Sequence, residues 1–229
     1  KIDATGLTAA EFADSDSVKI GEFAMGKLDT IGHSQHRMEY FVEMLNKYNI
    51  NYVLDVRSTP YSKYAEQYNK ENIEKYINNR KIKYCFMGKV FGARPNEREL
   101  YAVEGYLDFE KVRKTKRFIK GFNSVVLGLQ RKNNIALMCT EKDPFDCHRA
   151  IMIARAFELK GIDVNHIMAD GNIQSQEMLD DRLLNKYYPD WRQRNLFDYI
   201  NNEVKDREDY LRQAYRKRNE EIGYHLQGK

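Results

Sequence analysis

Residues 135–149 have the sequence IALMCTEKDPFDCHR. The first five residues are apolar and predict a buried strand, the acidic residues after them predict a loop, and a helix is expected to start at or near Cys147. The loop thus begins with the Cys139 thiol and ends with the thiol, imidazole and guanidinium of residues 147–149. The N-terminus of a helix has free N–H groups and a positive dipole end, which suit an anion or a thiolate. The segment therefore predicts an α/β fold with an active site at this loop.

The rest of the chain alternates between strand and helix patterns. Strands are predicted at 27–31, 51–56, 81–87, 135–139 and 164–168. Helices are predicted behind Ser34 as the N-cap, at 71–79, at 109–131 with a break near Gly121, and at 147–160 with Gly161 at the end. Such alternation is typical of a mostly parallel sheet of about five strands flanked by helices. The order of the strands does not follow from the pattern.

Three parts of the chain differ in composition. Residues 1–24 are expected to be a leader derived from cloning, because residues 21–26 resemble a junction and Met25 resembles a natural start. Residues 25–174 are expected to form the α/β catalytic-type domain. Residues 175–229 are expected to form a helical C-terminal extension packed on the same domain, with one or two long charged helices at 196–224.

The composition argues against some classes of protein. The chain has 229 residues and no apolar run near the roughly 20 residues that cross a membrane, so no membrane partner is expected. Three cysteines do not make a disulfide scaffold, and we expect reduced thiols and a cytoplasmic protein. The 16 Tyr and 38 Lys and Arg residues suit stacking on bases and contacts with phosphates. The same Tyr residues would also suit half-buried positions in the fold, and both interpretations remain open.

Polar residues cluster after three of the predicted strands. The clusters are at 30–34, at 55–58, and at 139–141 together with 147–149. The carboxyl ends of parallel strands meet at one edge of a sheet, where ligands bind in open α/β folds. We therefore expect the three clusters to form one pocket.

This pocket and the loops beside it supply two sets of candidate residues. The catalytic candidates are His33, Asp55, Cys139, Glu141 and His148. The substrate-binding candidates are Ser34, Arg57, Ser58, Tyr64, Arg94, Cys147 and Arg149. Several also have a structural interpretation: His33 could cap a helix, Asp55 and Arg57 could form a structural ion pair, and Cys139 could be a small buried apolar residue.

No cofactor is predicted from these residues. The sequence has no C-x-x-C pair, so a closed structural zinc site is not expected, and the glycine patterns of phosphate and dinucleotide loops are absent. A divalent metal held by mixed ligands is an alternative, because Cys and His serve both thiol and metal chemistry. Its ligands would come from Cys139, Cys147, His148 and His33. The sequence alone therefore assigns no metal ligand.

These motifs resemble a known family. The family called domain of unknown function 488 has signatures similar to TIGHS at 30–34, DVRSTP at 55–60 and MCTEKDPFDCHR at 138–149, in the same order. The tail at 214–222 is also similar to that of many members, so the resemblance covers residues 28–224. Members often have a Leu-Gly-Gly-Arg run where this chain has VFGAR, ending at Arg94, which leaves the role of that arginine open. The family name states no activity, so the resemblance implies the fold rather than the function.

A weaker likeness is to rhodaneses and Cys-based phosphatases. These proteins also have Asp-Val-Arg at one strand end, and a Cys, an anion-binding loop and an Arg before a helix, as residues 139–149 could. The loop here is longer and holds Glu141, Asp143 and Asp146, whose charges would repel a phosphate or thiosulfate and raise the pKa of Cys139. The likeness is an analogy, and the three carboxylates count against simple sulfur or phosphate transfer.

Three functions are compatible with the pocket. The favoured one is an enzyme that acts on a nucleotide or nucleic acid by hydrolysis or group transfer. In it Glu141 or Asp55 is the general base, His33 or His148 is its acid–base partner, and the two pocket arginines hold an anionic group. The second is a thiol enzyme of the sulfurtransferase or phosphatase type. The third is a non-catalytic module that recognises a nucleotide or a protein through the same pocket. The charged C-terminal helix at 196–224 could be a partner surface as well.

Overall fold

The computed structural model describes residues 25–193 and 206–226, with a six-stranded sheet at the centre. Its strands are β1 Leu28–Gly32, β2 Tyr52–Asp55, β3 Lys83–Phe86, β4 Ile135–Cys139, β5 Val164–Ile167 and β6 Ile173–Ser175. Their order is β3-β2-β4-β1-β5-β6, and all neighbouring pairs are parallel except β5 and β6. The predicted α/β class with a mostly parallel sheet is confirmed.

Helices cover both faces of the sheet. They are α1 Met38–Lys47, α2 Lys70–Asn78, α3 Gly88–Phe91, α4 Phe109–Arg113, α5 Lys116–Gln130, α6 Arg155–Glu158, α7 Gln176–Tyr187 and α8 Arg207–Ile222. A π-helical stretch, Arg149–Ala154, runs directly into α6. One face of the sheet is covered by α1 and α2, and the other by α5, the π-helical stretch, α7 and α8.

The central strands are buried and mostly apolar, with buried polar exceptions such as Asp29 and Thr30 of β1, and this pattern makes them predictable from the sequence. All residues of β1, β2 and β4 are buried. Parallel strands covered by helices on both faces are typically continuous apolar runs. In the register of the sheet, Gly32 lies beside Cys139, and Asp55 lies beside Met138. The carboxyl ends of these three strands therefore lie together at one edge.

The predicted cap of the first helix is wrong. α1 starts at Met38, and Arg37 rather than Ser34 is its N-cap residue. Ser34 has a φ of 48° in the left-handed region and donates its N–H to Thr140 O at 2.9 Å. The chain after β1 is thus tied to the loop after β4 before the helix begins, so Ser34 cannot cap it.

The predicted break near Gly121 is also wrong. The break lies at residues 114–115, where the Thr115 side chain accepts a hydrogen bond from Phe118 N at 3.2 Å and starts α5. Helix α5 is continuous through Gly121. A Cβ at Gly121 would lie 2.1 Å from Val90 Cγ1, so the glycine permits close packing of α3 on α5 rather than a turn.

Some elements differ from the prediction in extent or kind. Strand β6 has no counterpart in the predicted pattern and pairs antiparallel with β5 after a turn at Gly171, whose φ is +76°. The predicted loop at 88–105 contains α3 and a 3-10 turn at Arg98–Leu100. The helix predicted at 147–160 begins with π-helical turns, and Gly161 follows its end with a φ of +74°, as expected.

The helices after residue 175 pack on the same apolar core as the sheet. The Ser175 side chain accepts a hydrogen bond from Met178 N at 3.1 Å and caps α7. Leu183 of α7 and Leu211 of α8 are fully buried in this core. The two helices are therefore part of the folded unit that carries the sheet.

Some of the predictions fall on parts of the chain that the structure does not describe. The predicted leader at 1–24 and residues 196–205 of the predicted charged helices lie outside the described residues. Across residues 25–193 and 206–226, no helix has the length and apolar character that a membrane span needs.

Candidate metal centre at the carboxyl edge of the sheet

The three polar clusters lie side by side at the carboxyl edge of the sheet. His33 N donates to Cys139 O at 2.9 Å, so the first cluster touches the third. His148 Nε2 lies 3.1 Å from Val56 O, so the second cluster touches the third as well. Backbone pairing of parallel strands brings the clusters together at the carboxyl edge. This edge is the usual location of ligand sites in such sheets.

Four side chains of the third cluster converge on one point. The Sγ atoms of Cys139 and Cys147 both lie 2.9 Å from Glu141 Oε2. His148 Nδ1 lies 3.8 Å from Cys139 Sγ and 4.0 Å from Cys147 Sγ. One donor atom from each of the four residues lies within 4.8 Å of the other three. We call this set of Cys139, Glu141, Cys147 and His148 the donor cluster.

The donor cluster is enclosed by the fold on one side and open on the other. Both thiols are buried, and His148 is half-buried. Glu141 is an exposed residue whose carboxylate turns inward to the two thiols. A molecule from solvent would therefore reach the thiols past Glu141 and His148.

The loop between β4 and the π-helical stretch is folded back over the end of β1. The Asp143 side chain accepts a hydrogen bond from Phe145 N at 2.9 Å and starts a 3-10 turn, Pro144–Asp146. This turn returns the chain to the sheet at Cys147. A Cβ at Gly32 would lie only 2.0 Å from Glu141 O, so the loop needs glycine at the end of β1.

Arg149 holds this loop from inside the protein. Its side chain is fully buried, and Nη1 donates to Glu141 O at 2.7 Å. Its Nη2 donates to Lys142 O and its Nε to Thr30 Oγ1, both at 3.3 Å. The guanidinium thus binds loop carbonyls, which favours a structural role over the predicted anion binding.

Asp55 and Arg57 form the structural ion pair that the sequence left as an alternative. Arg57 donates from Nε to Asp55 Oδ1 at 2.9 Å and from Nη2 to Asp55 Oδ2 at 2.6 Å. Arg57 also donates to Tyr68 O at 2.8 Å, and Tyr84 Oη donates to Asp55 Oδ2 at 2.7 Å. Both residues are buried, and these contacts leave little capacity for a general base at Asp55 or an anion at Arg57.

His33 supports the Asp55–Arg57 pair and does not join the donor cluster. Its Nε2 lies 3.1 Å from Arg57 Nη1, which can only donate, so Nδ1 carries the proton and donates to Ser34 O at 2.9 Å. The ring stacks on Tyr68 with centroids 4.2 Å apart. Burial, with a further contribution from Arg57, lowers the pKa of His33 to about 4. A neutral imidazole with both nitrogens engaged is a poor acid–base partner at neutral pH.

The donor cluster favours a negatively charged thiol. Burial raises the pKa of Cys139. Burial acts in the same direction on Cys147, but a hydrogen bond from the Cys139 thiol and the charge of Arg149 outweigh it and lower the pKa of Cys147 well below its ordinary value. Burial and the charge of Cys147 raise the pKa of Glu141. Thiolate is the form in which cysteine binds a metal or acts as a nucleophile.

His148 is oriented by a partner outside the cluster. Its Nε2 lies 3.1 Å from Val56 O, and since a carbonyl can only accept, Nε2 carries a proton and Nδ1 faces the thiols. Histidines that bind metals usually have this kind of outer hydrogen bond, which fixes the ring. Burial acts to lower the pKa of His148, but its hydrogen bond with Cys147 and the charge of that thiol raise it.

The four donors fit a divalent metal of the zinc type. Zinc binds thiolates, imidazoles and carboxylates, usually with four ligands. Sulfur ligands disfavour magnesium and calcium, which prefer oxygen. The ligands that the sequence suggested for such a metal were Cys139, Cys147, His148 and His33. In the structure His33 lies outside the cluster and the Glu141 carboxylate joins the other three donors, as the Cys139-x-Glu141 spacing after a buried strand could have indicated.

The remaining candidates are not part of the donor cluster. Ser58 and Arg94 line an open cavity of about 440 Å³. The Arg94 guanidinium also lies 5.0 Å from the centroid of the Tyr224 ring. Tyr64 is 78% exposed on the loop that follows Arg57.

The fold and the site define an α/β protein with a thiol-rich donor cluster at the edge of a parallel sheet. A model of the family described as domain of unknown function DUF488 matches residues 37–156, more than half of the 229-residue chain, so the chain belongs to this family. The matched range includes the second and third sequence motifs, whereas the motif at 30–34 and the tail at 214–222 lie outside it. No curated protein and no solved structure matches the chain.

Proposed function

We propose that this protein is a metal-dependent enzyme that acts on a nucleotide or nucleic acid by hydrolysis. The observation that carries the proposal is the donor cluster, in which four ligand atoms of zinc-binding type lie within 4.8 Å of one another. Cys139 is the last residue of β4, and Cys147 and His148 come directly before the π-helical stretch, so the backbone fixes where these three side chains point. Side chains held in this way suit a site that needs set distances.

The donor set suits a catalytic site better than a purely structural one. Two thiolates and one imidazole are the protein ligands of some catalytic zinc sites, in which the fourth position holds water. A zinc ion held by Cys139, Cys147 and His148 would lower the pKa of a bound water to about 7 and so supply hydroxide at neutral pH. In this arrangement Glu141 would not be a ligand: its carboxylate, which lies 2.9 Å from both Sγ atoms, would take the proton of the attacking water. Zinc deaminases of nucleobases use the same combination of one His, two Cys and a Glu base, which is a chemical analogy and not a relationship.

The surroundings of the donor cluster support a nucleotide or nucleic acid as substrate. The cavity of about 440 Å³ is lined by Lys89, Arg94 and Arg117, and also by Glu97, with which Arg117 forms an ion pair. Tyr61 and Tyr64 are exposed on the loop after Val56, the residue whose carbonyl orients His148. Cations bind phosphates, and exposed aromatic rings stack on bases. The proposal therefore keeps the nucleic-acid interpretation of the basic, Tyr-rich composition.

A thiol enzyme is the second candidate, because one observation favours it. The pKa of Cys147 is lowered well below its ordinary value, with Arg149 and His148 beside the thiol. In this alternative the nucleophile would be Cys147 rather than the predicted Cys139. Only 1% of Cys147 is exposed, and the Glu141 carboxylate lies 2.9 Å from its Sγ, so an anionic substrate would be repelled.

Turnover of nucleotides by a Glu141 variant tests the proposal. Nucleotides and short single-stranded oligonucleotides would be incubated with the zinc-loaded protein, and the products identified by mass spectrometry. Glu141→Gln should reduce turnover by about 10²–10⁴-fold while binding is retained, because Gln cannot accept the proton. Glu104→Gln, at an exposed carboxylate in another loop, is the control and should keep full activity. Binding without turnover in the unaltered protein would point to a binding module, and equal activity of both variants would refute the role of Glu141.

A further inference from the structure

We propose that two arginines of the C-terminal helices, Arg182 and Arg218, are positioning residues of the metal centre. They hold the loop that carries Glu141 and leads to Cys147. The expected effect on metal binding rests on the proposed function. The effect on the position of the loop rests only on the contacts between the two arginines and the loop. According to this inference, the C-terminal helices help to position the donors of the metal centre.

Arg182 of α7 binds the residue that starts the 3-10 turn of the loop. Its Nη1 donates to Asp143 Oδ1 at 3.0 Å, and its Nη2 donates to Asp143 Oδ2 at 2.7 Å. The same Oδ1 accepts the hydrogen bond of Phe145 N that starts the turn. A two-pronged pair of this kind fixes direction as well as distance. Arg182 thus orients the side chain that shapes the loop.

Arg218 of α8 binds the other end of the same turn. Its side chain is almost fully buried, and Nε donates to Phe145 O at 3.0 Å. Its Nη2 forms an ion pair with Asp146, the residue directly before Cys147. A buried guanidinium that donates to a loop carbonyl and a loop carboxylate is difficult to explain by solvation of the helix surface.

The aromatic ring at the apex of the loop lies between these cations. The Phe145 centroid is 4.8 Å from the Arg182 guanidinium and 4.6 Å from the Arg218 guanidinium. Lys186 Nζ lies 5.6 Å from the same centroid. Phe145 is buried in the apolar core, and cation–π contacts of this geometry add to the packing that holds its ring. The turn is therefore fixed at its first residue, its apex and its last residue.

The loop is held from both sides, and this decides where the donors lie. Arg149 binds Glu141 O from the inside, whereas Arg182 and Arg218 bind the turn from the outside. Glu141 lies just before the clamped turn, and Cys147 lies just after it. A zinc ion accepts ligands only at about 2.0–2.3 Å. Loss of one arginine should let the turn shift and so misplace two of the four donors.

A pair of matched variants tests the inference. Arg182→Met removes the bidentate pair with Asp143, and Arg207→Met removes a pair with Asp181 on the same helices. The two arginine side chains are both 37% exposed, so the control removes a comparable surface contact. Affinity for Co(II), measured by competition with a chelator, should fall at least about 10-fold in Arg182→Met and stay unchanged in Arg207→Met.

A second readout does not depend on metal. In the metal-free protein, alkylation of Cys139 and Cys147 by iodoacetamide would be followed peptide by peptide by mass spectrometry. Both thiols are buried, and Arg182→Met should speed their alkylation several-fold relative to Arg207→Met. Arg218→Lys, which keeps the charge but loses the Nε donor, should act like Arg182→Met. It avoids the risk that Arg218→Met does not fold.

The outcomes separate the two proposals. If Arg182→Met and Arg207→Met agree in both Co(II) affinity and alkylation rate, the positioning role is refuted. If the unaltered protein binds no Co(II) but Arg182→Met still speeds alkylation of the two thiols, the positioning role stands and the metal-dependent function fails. A fall in Co(II) affinity together with faster alkylation supports both.

Discussion

Arg57 and Arg149 are the two cations for which the sequence predicted anion binding. In the structure Arg57 donates to Asp55 and His33, and Arg149 donates to carbonyls of the loop after β4. A buried charge without such partners is strongly destabilising. The sequence shows that a charged residue follows a buried strand, but it does not show which neighbour forms a hydrogen bond or ion pair with that charge. Binding and structural roles could therefore not be separated before the partners were known.

Replacing Arg57 by Met should destabilise the protein by about 3–5 kcal/mol, because Asp55 would remain buried without its partner. Urea unfolding monitored by circular dichroism gives the free energy of unfolding. Arg117→Met is the control, since the pair of Arg117 with Glu97 is partly exposed and should contribute only about 0–1 kcal/mol. Equal losses in the two variants would contradict the structural role of the buried pair.

His166 is a buried histidine that should make stability depend on pH. Its Nδ1 lies 2.8 Å from Thr30 Oγ1, and its Nε2 lies 2.8 Å from Gln176 Oε1. Burial, with a smaller contribution from Arg149, lowers the pKa of His166 from 6.5 to about 3. Below pH 6.5 the unfolded chain takes up a proton here and the folded chain does not. The contribution to stability is therefore complete above pH 6.5 and is lost as the pH falls toward 3.

Replacing His166 by Gln should remove this dependence on pH. The stability advantage of the unaltered protein over His166→Gln should shrink by about 1–2 kcal/mol between pH 7 and pH 5. Urea unfolding at both pH values measures it, and His225→Gln, at an exposed histidine, is the control. An advantage that stays constant or grows as the pH falls would show that His166 is not held neutral by the fold.

The loop after β4 is the element whose shape decides the site. Its position was predictable, because a buried apolar run and a helix frame it in the sequence. Its path was not, since it depends on contacts with β1 and with helices far along the chain. Glycine at position 32 lets the loop cross the end of β1, with Glu141 O where a Cβ would be.

Gly32→Ala should therefore disturb the loop and the donor cluster together. The added Cβ would lie 2.0 Å from Glu141 O, a backbone atom that can move only with the loop. We expect a loss of about 1–3 kcal/mol in stability and a weaker affinity for Co(II). Gly128→Ala is the control, because its Cβ would meet only the end of the Ile135 side chain at 3.0 Å. Unchanged Co(II) affinity in Gly32→Ala would contradict the proposed path of the loop.

Elements differ in how clearly their sequence reveals them. β1, β2 and β4 are buried on both faces, so their residues are mostly apolar and the prediction is reliable. β6 has three residues, of which the apolar Ile173 is exposed and the polar Gln174 is buried, so its pattern is the reverse of the usual one. Gly121 suggests a helix break in the sequence. In the structure the side chain of Val90, from a helix distant in the chain, lies where a Cβ of residue 121 would be too close. Local patterns therefore predict buried strands and fail where tertiary packing decides.

At the scale of the whole fold, the C-terminal helices α7 and α8 contact the loop at the carboxyl edge of the sheet. The order of the strands places β4 between β2 and β1, which brings three polar strand ends together. Alternating strands and helices predicted this meeting, although they could not give the order. The contacts of α7 and α8 with the loop join residues 39 to 73 positions apart, and no local pattern contains them. The sequence thus predicted that the three polar strand ends meet and named the four donors among its candidates, whereas the contacts that support the loop required the fold.

The metal content of the purified chain tests most directly whether the donor cluster binds a metal ion. Elemental analysis should find close to one zinc ion per chain, and replacement by Co(II) should give the absorption of cobalt bound to thiolates. Cys147→Ser should lose this absorption, whereas Cys85→Ser, at the cysteine outside the donor cluster, should keep it. A reduced, folded protein that retains no metal and shows no cobalt–thiolate absorption would contradict the metal centre and leave Cys147 as a candidate nucleophile.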